Sequence, residues 1–234
     1  MSVSRRLALA MVVAVTLGIV GPPAAAAPSD DRILAVDQYT TDKGRTLART
    51  YWPDLRTLNA GIYHCLPWVE IQKQSIGFFR PKHVAQDDRY LSLRIYIEQD
   101  PSPSFARLPV EKRASAMFSR YVGAMLRRMT KSPTLLADDS VDGFTVILEW
   151  LKQVPTAAGE PPTHETIAVF VPKPVAADYL SGQISIPDVA TRARVLGWDG
   201  ETSLGALRLS AWEDNFISTY KVKNYELEPG VTCP

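Results

Sequence analysis

Tyr90-Leu91-Ser92-Leu93-Arg94-Ile95-Tyr96-Ile97-Glu98 is the stretch whose reading decides the architecture. Leu91, Leu93, Ile95 and Ile97 alternate with Ser92, Arg94, Tyr96 and Glu98. A period of two places the aliphatic side chains on one face of a strand and the polar set on the other. One face therefore belongs to a core, and the other meets solvent or a second layer. Asp100-Pro101-Ser102-Pro103 ends the strand.

The period then changes. From Pro109 to Lys131 the apolar positions are Val110, Ala114, Met117, Phe118, Tyr121, Val122, Met125 and Met129, which keep helical spacing for over five turns. Pro109 suits a first helical turn and Pro133 limits the end. A one-faced strand followed by a one-striped helix predicts a helix laid across a sheet.

Working outward, Phe144–Leu151 and Glu165–Val171 read as further strands, joined by an exposed loop from Val154 to Pro162. Ile167-Ala168-Val169-Phe170-Val171 lacks polar alternation, as expected of a central strand covered on both faces. Pro174–Leu180 and Pro187–Leu196 are expected to be short helices. Gly197-Trp198-Asp199-Gly200 reads as a turn. Leu204–Trp212 and Phe216–Lys223 are expected to form a terminal hairpin around Glu213-Asp214-Asn215. Upstream, Ser75–Arg80 is a short strand. Ser29 and Asp30 cap an expected helix over Asp31–Tyr39. Arg45–Tyr63 carries Leu47, Tyr51, Leu55, Leu58 and Ile62 at helical spacing, with Pro53 dividing or kinking it. Strands that mostly follow one another, with helices between blocks, predict an α+β fold. The expected core is a largely antiparallel or mixed sheet of about five to six strands against the long helix. Residues 27–66 form a helical N-terminal region, and residues 67–234 the sheet-containing core of the same domain.

The N-terminus has the order of a secretory leader. Arg5 and Arg6 precede the apolar run Leu7–Val20, Gly21-Pro22-Pro23 breaks it, and four alanines follow. Residues 1–26 are therefore expected to be a signal peptide, with the mature chain beginning at Ala27. The run is shorter than the roughly 20 residues a membrane span requires. No later segment approaches that length, so the mature chain is not expected to span a membrane. Export to the periplasm or the medium would place Cys65 and Cys233 in an oxidising compartment, where an even pair predicts a disulfide.

The 26 Lys and Arg against 25 Asp and Glu become 24 against 25 once Arg5 and Arg6 leave with the leader. A near-neutral chain is not built for bulk attraction to nucleic acid. Asp138-Asp139-Ser140-Val141-Asp142-Gly143, with Glu149 beyond, sets oxygen ligands and a glycine at calcium-loop spacing. Thr145 and Val146 occupy the wrong positions, and the following residues are strand-like, so no metal is expected there. The segment reads instead as a turn, with Asp142-Gly143 at its positive-φ positions. His64, His83 and His164 lack metal-ligand spacing, and adjacent His64-Cys65 is not a nucleophile–base pair. No phosphate loop or nucleophile elbow occurs, and no cofactor is expected. Arg113, Arg120 and Arg127 recur every seven residues on the long helix. They read as a solvated face, or more sharply as a strip for an anionic partner. Of Trp52, Trp68, Trp150, Trp198 and Trp212, those on strands are expected in the core, and an exposed one would be a contact residue.

These readings favour an exported, non-enzymatic binding or assembly accessory of the cell envelope, its partner an envelope protein or ligand. The rival is an exported hydrolase with a dispersed site using His83, His164 and an acid such as Asp87.

Overall fold

The computed structural model describes residues 28–82, 84–97, 103–153, 162–211 and Cys233. The expected leader lies outside these residues, as do His83, Trp212, Phe216–Lys223 and most of the Val154–Pro162 linker. Among the described residues, a seven-stranded mixed sheet packs with helices, the α+β class that the alternation predicts.

Strands β1 (Val69–Ile71) and β2 (Gly77–Phe79) share one edge of β3 (Tyr90–Ile97), both antiparallel to it. On the other edge β3 runs parallel to β4 (Gly143–Gln153), in register from Tyr90↔Gly143 to Ile97↔Trp150. A parallel pair needs a crossover, and the long helix supplies it. Three antiparallel pairings then add β5 (Thr163–Pro172), β6 (Arg194–Asp199) and β7 (Thr202–Ala206).

The period of two survives intact. Leu91, Leu93, Ile95 and Ile97 are buried, and the register sets them beside Phe144, Val146, Leu148 and Trp150. Ile167, Val169 and Val171 extend the same rows on β5. Two short N-terminal helices are α1 (Asp42–Thr50) and α2 (Trp52–Cys65), followed by α3 (Pro103–Ala106). The crossover helix α4 (Val110–Met129) packs on β4. Beyond it lie α5 (Pro133–Ala137), α6 (Lys173–Leu180) and α7 (Ile186–Arg192). The buried apolar side chains of these helices and strands form one continuous cluster. The α4 stripe is wider than the periodicity predicts, since Ser115, Ala116 and Leu126 are buried too. Helices α2 and α7 flank it, and Ser115 Oγ accepts from the Ser210 amide at 3.1 Å.

Several local expectations are corrected by pairing. The helix expected over Asp31–Tyr39 is two 3-10 turns, Asp30–Arg32 and Val36–Gln38, because Ile33 between them bridges Ile76. Arg45–Tyr63 resolves into α1 and α2, meeting at Tyr51 just before Pro53. The expected helix Pro187–Leu196 stops at Arg192, and Arg194 onward joins the edge of β5 as β6. Strands β6 and β7 form a hairpin that turns at Gly200 with φ +56, a left-handed position glycine adopts without strain, whereas the turn and second strand of the hairpin expected around Glu213-Asp214-Asn215 lie outside the described residues. Residues 207–211, expected in a strand, are not. Gly143 does not take a positive-φ turn position either. It begins β4, where an added Cβ would stand 2.6 Å from the Val171 carbonyl oxygen and against the Tyr90 ring.

Cys65, the last residue of α2, is bonded to Cys233 with Cα atoms 5.6 Å apart, within the usual range for a disulfide. Among the described residues, no helix is long and apolar enough to cross a membrane.

The α1–α2 junction is fastened to the far end of α5. The Tyr51 hydroxyl donates to Asp138 Oδ2 at 2.9 Å. Burial, followed by the Asp138 hydrogen bond and charge, pushes the Tyr51 hydroxyl up to about 12. Burial of Asp138 acts to raise its pKa. The Ser140 amide, the Tyr51 hydroxyl, the Ser140 side chain and Lys173 outweigh it and hold the carboxyl below its ordinary value. A raised tyrosine favours the protonated folded state. Its contribution is complete below the ordinary value of 10.0 and is lost as pH rises toward about 12. Urea midpoints from pH 8 to 12 should show Tyr51→Phe less stable at neutral pH, with a shallower decline across that window.

Candidate functional site: a cleft on the outer sheet face

The residues between the buried ones make the second face. The register aligns Ser92, Thr145, Phe170 and Arg194 in one row, and Arg94, Ile147, Ala168 and Leu196 in the next. Tyr96, Glu149, Thr166 and Trp198 form a third. A cleft of about 770 Å³ lies over this face, within the size range of ligand sites. Its floor is Ile147, Ala168, Phe170, Leu196 and Trp198, with Ser92, Thr145 and Thr166 between them. The uninterrupted apolar run on β5 is thereby explained. One of its faces meets helices, and the other floors the cleft, where Ala168 is buried and Phe170 half-buried.

The wall stands on the β3 side. Residues 72–75, between β1 and β2, bulge away from the β3 edge and line the cleft. The Gln74 amide donates to the Asp31 carbonyl, and the Ser75 and Ile76 amides to that of Arg32. Gln74 adopts φ 52 to close this loop. The Ser75 hydroxyl and the Gln72 amide both donate to the Arg94 carbonyl. Phe79, Arg80, Pro81 and Lys82, leaving β2, complete the wall.

Charge is uneven across the cleft. Lys73, Arg80, Lys82 and Arg94 all lie on the β3 side. Arg94 is occupied, donating to Glu149 Oε2 from Nε at 3.2 Å and from Nη2 at 2.7 Å. Lys73 lies 3.4 Å from Asp31 in an exposed pair. Among the described residues, Arg80 and Lys82 have no acidic partner. The floor and the β6 side carry no charge among the lining residues.

Compared with protein families, curated proteins and solved structures, the chain matches none.

The residues singled out in the sequence fall elsewhere. Arg113 is not part of a surface strip. It is buried, with Nε 2.7 Å and Nη2 2.5 Å from the Glu165 carboxylate. Spacing of seven keeps it in line with Arg120 and Arg127 on the helix, but β5 and residues 106–108 cover that end of α4. Arg120 is half-buried, and Arg127 is exposed with its guanidinium 4.9 Å over the Tyr179 ring. Asp138, Asp142 and Glu149 do not converge as calcium ligands. Asp138 serves Tyr51 and Ser140. Asp142 accepts from Lys43 Nζ at 2.9 Å and the Arg89 amide at 2.7 Å, while Glu149 holds Arg94 on the cleft face. Asp87 pairs with Arg89 Nη2 at 2.5 Å, next to the start of β3. His164 lies near the opposite end of the sheet, across from Leu151, its ring 5.4 Å from and edge-on to Tyr96. The triad expected from His164 and Asp87 is therefore not assembled, and His83 lies outside the described residues. His64 ends α2 with its ring against Tyr63.

Trp150 is buried and donates to Glu165 at 3.1 Å, whereas Trp198 is half-buried and lines the cleft. The signal for the cleft was present in the sequence as Ile147, Ala168, Phe170 and Leu196, apolar residues on strand positions that alternation assigns to the outer face. Chemically the arrangement can hold an elongated, mainly apolar molecule. No hydrogen bond joins a histidine to an acid or hydroxyl among the described residues.

Proposed function

We propose that this chain is an exported, non-enzymatic binding protein of the cell envelope, and that the cleft on the outer sheet face is where its ligand sits. The observation that carries this reading is the cleft itself, a wall of two loops standing over an apolar floor. A solvated outer face would carry polar side chains at the positions of Ile147, Phe170 and Leu196, as the hydrophobic effect would otherwise penalise them. Export is supported by the leader-like N-terminus and by the Cys65–Cys233 bond, which is compatible with an oxidising compartment.

The test uses Nile red, an uncharged apolar dye, with the purified protein. Saturable binding with a change in the tryptophan emission attributable to Trp198 is expected. Leu196→Glu, which puts a charge on the floor, should weaken binding at least tenfold while thermal unfolding stays cooperative. Turnover of ester, peptide, phosphate or glycoside substrates that His164→Ala abolishes would overturn the reading in favour of the hydrolase.

A further inference from the structure

We propose that the cleft's ligand is a single-chain amphipathic anion, its acidic head at Arg80 and Lys82 and its apolar tail crossing the strands toward Trp198. This rests on the reading of the cleft as a binding site and adds the chemical class and orientation of the occupant.

Three observations point the same way. First, the unpaired charge among the residues that line the cleft is of one sign and on the β3 side, although Arg194 on β6 ends the neighbouring row. Arg80 and Lys82 follow β2, both exposed, both lining the cleft and both without an acidic partner among the described residues. The one acid near the floor, Glu149, is already neutralised by Arg94. A ligand carboxylate or phosphate at this rim meets two unpaired cations, where a charge-assisted hydrogen bond is about twice as strong as a neutral one. Second, polarity falls in a single direction. Moving from β3 across β4 and β5 to β6 along one row, the side chains are Arg94, Ile147, Ala168 and Leu196. Adjacent strands are about 4.8 Å apart, so that path is roughly 14 Å, the reach of a chain of about a dozen carbons. Third, Ala168 is the smallest side chain in the middle of the row, so the floor between Ile147 and Leu196 is lowest there.

A neutral ligand leaves the rim cations unused. A membrane surface would be met by a flat or convex basic patch rather than by a walled cleft.

The experiment measures binding of monomeric myristate, below its aggregation concentration, by isothermal titration and by displacement of Nile red. Tetradecanol is the uncharged counterpart. Myristate is expected to bind at least tenfold tighter than tetradecanol, and added salt should erode the difference. Arg80→Glu with Lys82→Glu should weaken myristate at least tenfold more than tetradecanol and so remove that preference. Both residues are exposed, so the fold should persist, as circular dichroism will check. Equal affinity for myristate and tetradecanol, with Nile red still bound, overturns the anionic head while sparing the binding site. Failure of every probe, Nile red included, overturns the site itself. Binding to phosphatidylglycerol–phosphatidylcholine vesicles without binding to monomeric myristate, or concentration-dependent dimerisation that displaces Nile red, would also overturn the proposal.

Discussion

Glu165→Ala is expected to destabilise the protein by about 3–5 kcal/mol, the usual cost of removing one partner of a buried ion pair. The carboxylate is 1% exposed and the Arg113 side chain 7%. Glu165 closes the last row of the buried sheet face, beside Trp150, and takes three hydrogen bonds there: two from Arg113 and one from the Trp150 indole. Arg113 spends its remaining donors on the Ala106 and Leu108 carbonyls, tying the α3–α4 connection to the same point. The alanine leaves a guanidinium and an indole N–H without their acceptor and adds a cavity, so each contribution has the same sign. The double substitution Arg113→Met with Glu165→Leu removes both charges and should recover most of the loss, since apolar replacement of a buried pair is often near neutral. Urea denaturation of both variants decides it. A loss below about 1 kcal/mol in the single variant would mean that solvent reaches Arg113 and that the pair is not buried.

Cys233→Ser is expected to cost about 2–5 kcal/mol. The bond spans a sequence separation of 168 residues, and chain-entropy reasoning gives so long a loop roughly 5 kcal/mol, an upper figure for what real bridges deliver. It ties the penultimate residue to the end of α2, the helix that packs on β1. Alkylation followed by intact mass measurement checks the bond directly. Two alkylated thiols without reductant would contradict it. Reductant should lower the urea midpoint of the natural protein and leave that of Cys233→Ser unchanged.

The two substitutions differ in how legible their sites were. Cys65 and Cys233 could be paired on number and compartment alone, because two thiols admit one pairing. Arg113 could not be read at all. Its spacing matches Arg120 and Arg127, and helical periodicity treats the three alike. The difference comes from Glu165, 52 residues away.

The same division runs through the fold and the candidate site. Strand β3 and helix α4 were legible because each carries the period that one buried face imprints, and β4 and β5 because their residues are rich in β-branched and apolar types. Strand β2 was read within Ser75–Arg80, whereas β1, three residues long, is too short to display a period and pairs because β3 offers an edge. Strand β6 was read partly as helix because Pro187 starts one. The hydrogen bonds that end it belong to β5, and local spacing does not contain them. For the site, Ala168 and Phe170 were visible in the unalternating run of β5, whereas Leu196 was read as the end of a helix. Whether such exceptions meet another layer or floor a cleft depends on what stands opposite. Here that was decided by the loop at 72–75, tied to the carbonyls of Asp31 and Arg32 on one side and to that of Arg94 on β3. The sequence determined which faces are apolar, since that depends on spacing along the chain. Tertiary structure alone decided which polar groups are buried and which apolar face stays open, since both depend on residues brought together from far apart.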